Sequence, residues 1–95
     1  MAEKQSYNST LTKIGEMLEN KRKALGEAYK MRAKFIEIRS SELFSGNPWI
    51  SERHLSNIEL GKNWISLEKL IQHAYALEMD PVELFSEILE IYKQG

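Results

Sequence analysis

The chain has 95 residues, 42% of them hydrophobic and 28% charged, with five Gly, two Pro, no Cys and a formal net charge of -1. That length suits a single small core and is too short for two, and the balance of apolar and charged residues is that of a folded, helix-rich domain, not a disordered tail. The lack of Cys excludes a disulfide framework and a thiolate metal site, and the near-neutral total gives no general attraction to a polyanion.

The opening M-A-E-K-Q-S-Y-N-S-T is polar, and residues 1–10 are expected to form a flexible N-terminus. Leu11, Ile14, Leu18, Leu25 and Ala28 then recur at spacings near three, four and seven, one face of an amphipathic helix that Ser9 or Thr10 can cap. A single Gly26 costs only about 1 kcal/mol inside a helix, so the same helix is expected to run on through Met31, Phe35 and Ile38. Ser40-Ser41-Glu42-Leu43-Phe44 reads as a new short helix with a Ser cap, stopped by Gly46-Asn47-Pro48.

Ser51 has the chemistry of an N-cap, Glu52 suits the first turn, Leu55 and Ile58 share one side, and Gly61 supplies a left-handed stop. Ser66 opens a further helix with Leu67, Leu70, Ile71, Ala74 and Leu77 as its apolar stripe. Asp80-Pro81 opens the last, which carries Val82, Leu84, Phe85, Ile88, Leu89 and Ile91. The expected fold is all-α, with five helices.

Charge is unevenly spread. Residues 1–63 hold eleven Lys and Arg against eight acids, and residues 64–95 hold two against six. Lys21 to Arg39 alone carries seven cations against Glu27 and Glu37, either a phosphate-facing patch or a solvated helix face.

Two short helices joined by a tight turn, the second polar at its start, suit insertion into the major groove, where donor and acceptor patterns on base edges are read. The exposed set would be Glu52, Arg53, His54 and Asn57, with Leu55 and Ile58 turned inward. Arg53 is the candidate for a bidentate contact to guanine. His54 and His73 fall on different helices without a ligand pattern, so no metal site is expected, and His73 reads as a packing residue. Trp49 and Trp64 flank the candidate recognition helix, and core packing is favoured over stacking on bases. No Gly-rich phosphate loop, Cys nucleophile or paired carboxylates point to an enzyme, and none points to a cofactor.

The run Ile50-Ser51, Leu55-Ser56, Ile58-Glu59, Gly61-Lys62, then S-L-E-K-L and A-L-E-M-D-P-V-E-L-F, resembles the Cro/C1-type, or XRE-type, helix-turn-helix regulators over roughly Ile50 to Ile88. Ile14-Gly15-Glu16 with Lys21-Arg22-Lys23 is similar to the opening helix of that family. The resemblance implies a compact five-helix, lambda-repressor-like domain over residues 11–93, with the helix-turn-helix at about 40–60, that binds operator DNA as a homodimer. It implies base contact from Glu52, Arg53, His54, Asn57 and Asn63, phosphate contact from Ser41, Ser51 and Lys62, and a structural role for Glu59 in fixing helix ends. The chain departs from the pattern by about a dozen extra residues before Ser40, read as an extended first helix or an inserted segment, by Phe44 where Ala is usual, and by Asn63-Trp64 where Pro is usual.

The last helix carries more apolar residues than one core-facing stripe needs, so it is expected to meet a second copy or, if the protein is instead an antitoxin or accessory module on the same fold, a protein partner. No apolar run approaches the roughly 18 residues that span a bilayer, so a cytoplasmic protein without membrane contact is expected.

Overall fold

A computed structural model describes residues 2–94, with side chains from Ser9 onward. Five α-helices follow one another: α1 (Ala2–Ala24), α2 (Arg32–Leu43), α3 (Glu52–Glu59), α4 (Leu67–Ala76) and α5 (Pro81–Gln94), with a 3-10 turn over Glu27–Tyr29. No strand occurs among the described residues. The all-α, five-helix expectation holds, but the helices before α3 are cut differently.

Ser9 and Thr10 lie inside α1 and do not cap it. The first helix does not run on through Ile38 either. It ends at Ala24, because Gly26 takes φ 143, a conformation open to glycine and closed to an ordinary side chain. The freed carbonyls of Tyr29 and Lys30 are not left bare: Arg22 Nη1 donates to both, at 2.8 and 2.7 Å. A buried cation that needs acceptors and a turn that needs donors thus stabilise the break together, and the modest helix preference of the intervening residues is overridden.

The next helix starts at Arg32, not Ser40. Ser40 is buried in the last turns of α2, where its Oγ accepts from the Trp49 N–H at 3.4 Å. The expected Ser-capped helix at residues 40–44 is therefore the end of α2, and the expected insertion from Glu27 to Arg39 supplies the 3-10 turn and most of α2. The link to α3 is also longer than a tight turn. Residues 44–51 form a loop in which Ser45 and Gly46 take φ 57 and 83, and Trp49 and Ile50 turn into the core.

The core gathers one stripe from each helix: Leu18 of α1, Phe35 of α2, Leu55 and Ile58 of α3, Leu70 and Ala74 of α4, and Leu84 and Ile88 of α5. Trp49 plugs the centre, edge-on to Phe35 at 6.0 Å and to His73 at 5.3 Å, and stacked on Phe44 at 5.7 Å between centroids. Arg39, also buried, ties the lower half together. It donates to Ala76 O at 2.8 Å, to Glu42 at 2.7 Å and to Glu78 at 2.6 Å, and lies over the Tyr29 ring at 4.7 Å. Burial alone would lower its pKa, but the hydrogen bonds to Glu78 and Glu42 outweigh that and raise it above the usual arginine value.

Candidate nucleic-acid interface

Helix α3 is held differently at its two ends. At the start, the Ser51 Oγ accepts from the His54 N–H at 3.0 Å, an N-cap as the sequence suggests. At the end, Gly61 N–H reaches Ile58 O at 3.1 Å and Lys62 N–H reaches Asn57 O at 2.8 Å, the two bonds of a Schellman stop, with Gly61 at φ 77.

Below that end the backbones of α1 and α3 nearly touch. A Cβ on Gly15 would stand 2.3 Å from Glu59 O, and one on Gly61 would stand 2.7 Å from Thr12 Cα. Glu59 is the buried anchor: Arg22 grips it with Nε to Oε2 at 2.8 Å and Nη2 to Oε1 at 2.9 Å, and Arg32 Nε adds a third bond to Oε1 at 2.7 Å. Two guanidiniums satisfy this deeply buried carboxylate with directed, charge-assisted bonds. The reading of Glu59 as a residue that fixes helix ends matches this geometry.

With Leu55, Ile58 and Glu59 turned inward, helical geometry leaves Arg53, Asn57 and Leu60 along the outer line at i, i+4 and i+7, with Glu52 and His54 on its flanks. Glu52 and Arg53 are exposed, and His54 and Asn57 are half-buried. Lys62 and Asn63 are exposed just beyond Gly61, while Ser51 spends its Oγ on the cap and remains accessible. Ser41 lies apart from these, exposed on the last turns of α2. The structure thus gathers seven of the eight sequence-derived residues on or beside α3. Leu60, 51% exposed, was not singled out by its type, though its spacing from Arg53 and Asn57 carried the signal.

The cations of the dense basic segment divide between buried and acid-paired positions, so the segment is not one solvated helix face. Arg22 and Arg39 are buried, Arg32 sits on Glu59, and Lys21, Lys23, Lys30 and Lys34 pair with Glu87, Glu19, Glu27 and Glu37 at 3.0 to 3.6 Å. All seven cations have acidic partners, so the local excess is spent within the chain. Among the described residues, the cations Arg53, Lys62, Lys13 and Lys93 make no ion pair or side-chain hydrogen bond, and all four are exposed. Lys13 follows Thr12, which abuts Gly61, and Lys62 follows Gly61, so the two lysines flank one backbone contact.

Beneath the loop that leads into α3, His73 is fully buried, with neither ring nitrogen hydrogen-bonded. Burial, and then the positive charges of His54, Arg22 and Lys69, push its pKa down to about 3. Lys69 Nζ donates to the Trp49 carbonyl and to Gln72 Oε1, which clamps the loop from the α4 side. His73 was expected to pack, and it packs completely; Trp49 does likewise, whereas Trp64 is 42% exposed and stands edge-on to Tyr92.

No cluster of three or more His, Cys, Asp or Glu positioned to hold a metal ion occurs among the described residues, and no helix there is long and apolar enough to cross a membrane. Compared with known family models, curated proteins and solved structures, the chain matches none.

Proposed function

We propose that the protein is a sequence-specific DNA-binding regulator of the Cro/C1 type, binding operator DNA as a homodimer with α3 in the major groove. The observation that carries this reading is the division of α3: its inner side and its C-terminal end are fixed by packing and by the Arg22–Glu59 pair, while Arg53, Asn57 and Leu60 form an outward line with no internal partner. In the groove, Arg53 donates two bonds to guanine, Asn57 reads adenine, and Leu60 meets a thymine methyl. Glu52 and His54 at the flanks and Asn63 beyond the stop complete the base-reading set, and Ser41, Ser51 and Lys62 contact phosphate.

The test is selection from a random duplex library followed by binding titrations across salt. The expected result is a preferred site with two half-sites and an affinity that falls as salt rises. Arg53→Ala costs about 1 to 3 kcal/mol on that site and relaxes the preference at one base pair, with the fold intact. A folded Arg53→Ala variant that binds as the parent does removes that residue from the reading.

A second reading, an antitoxin or accessory module whose main task is to bind protein, is favoured by a different observation. Val82, Phe85 and Tyr92 of α5 are at least half exposed, and the chain from Trp64 onward is strongly acidic. Absence of DNA affinity at low salt would favour it.

A further inference from the structure

Between Lys62, whose N–H closes the stop of α3 on Asn57 O, and Ser66, the N-cap of α4, the chain runs through Asn63, Trp64 and Ile65 without helix or strand. None of these three residues restricts its own backbone as a proline would, so side-chain contacts must fix the stretch. Ile65 supplies one, partly buried against the core. Trp64 supplies another: it stands edge-on to Tyr92 in the last turn of α5, with ring centroids 6.1 Å apart and planes at 60°. That spacing and angle fall within the favourable range for an aromatic pair. Neither ring belongs to the buried core, so the contact joins the loop to α5 without being part of the packing of the five helices.

We infer that Trp64 and Tyr92 form a clasp that ties the loop between α3 and α4 to α5 and holds Lys62 and Asn63 in the arrangement that meets DNA. Both rings are positioning residues on this account. Lys62 and Asn63 are exposed beside Trp64, and the chain between them and the next helix has no regular structure to hold it. A loop that takes its binding arrangement in only a fraction of the molecules has its affinity reduced by that fraction, so a contact that keeps the arrangement populated strengthens binding without touching the ligand. The clasp does not govern what Arg53 reads, because α3 is fixed separately through the Arg22–Glu59 pair and the close approach of Gly15. The DNA role of the clasp rests on the proposed function, whereas the clasp itself does not.

The test has one arm without DNA and one with it, so the two failures are distinguishable. Without DNA, backbone amide relaxation by NMR is expected to show lower order parameters at Lys62 to Ile65 in Tyr92→Ala and in Trp64→Ala, with α3 unchanged and Tyr92→Phe like the parent. A loop as rigid in Tyr92→Ala as in the parent would overturn the clasp. With DNA, on a duplex site selected from a random library, Tyr92→Ala is expected to weaken binding about two- to tenfold and to leave the base preferences as they are. Trp64→Ala should do the same, and the double variant should be no weaker than either single one, since both remove one contact. Additive losses would overturn the pairing. In chains that already carry Lys62→Ala and Asn63→Ala, Tyr92→Ala should cost nothing further, because no contact is left for the loop to place; a full further loss would overturn the positioning role. Loosening of the loop in a protein that binds no duplex at any salt concentration would overturn the DNA role together with the proposed function, and leave the clasp standing.

Discussion

The two ends of α3 are built on opposite plans. At the C-terminal end the chain leaves nothing open: Glu59 is buried under two arginines, and Gly15 and Gly61 let backbones approach where a methyl group would not fit. At the N-terminal end a single serine caps the helix and Glu52 and Arg53 project outward without a partner. The first end decides where the helix lies and the second is free to change what it meets. A charged residue's place in the sequence does not reveal which plan it serves, since Arg22 and Arg53 differ wholly in burial and partners.

Mutation should separate the two ends sharply. The largest effect is expected for Arg22→Ala, which leaves Glu59 buried with only Arg32 and uncovers the carbonyls of Tyr29 and Lys30; chemical denaturation should show a loss of about 3 to 5 kcal/mol. Next is acid sensitivity beneath the loop that leads into α3. His73 has a folded pKa below its unfolded value, so its neutral form gives full stability above about pH 6.5, and that stability is lost as pH falls toward 3. The total is on the order of 4 kcal/mol across that window, and His73→Phe should flatten this part of the profile if the ring is accommodated.

Gly15→Ala comes third, with about 1 to 3 kcal/mol lost as α1 is forced off the end of α3. A thermal midpoint equal to the parent's would show that this approach is not tight. The smallest effect on stability belongs to Arg53→Ala, within about 0.5 kcal/mol, as expected for an exposed side chain without internal partners. Should Arg53→Ala destabilise as Arg22→Ala does, the contrast between the ends would collapse.

Much of the second half of the fold was legible. Ser51 and Ser66 cap the helices they were expected to cap, Gly61 stops α3, and Pro81 opens α5, because these signals act within a few residues of themselves. The first half was read with the wrong breaks for the converse reason. Gly26 is a weak local signal, and the break there is fixed by Arg22, whose other partner is 37 residues away. Nothing in a local window announces that pairing. The start of α2 at Arg32 has no side-chain cap to read, and Ser40, a plausible cap by type, is inside the helix with its hydroxyl turned to Trp49. Of the candidate site, the residues on α3 were legible from helical period and capping. The quenching of the basic segment was not, since it depends on which acids fold back onto it.

Two of the helix stops with left-handed residues, at Gly61 and Glu78, also set different rules for variation. Gly61 is bound by two conditions, a positive φ and the nearness of Thr12, so relaxing the backbone would still leave no room for a side chain. Glu78 ends α4 with the same left-handed turn, at φ 61, yet it is exposed and its carboxylate holds Arg39. Glycine there would remove about 1 kcal/mol of backbone strain and forfeit one bond to a buried cation. In a deep mutational scan, position 61 should therefore accept glycine alone, whereas position 78 should accept several residues at nearly equal fitness, the choice between them shifting with whatever residue stands at 39.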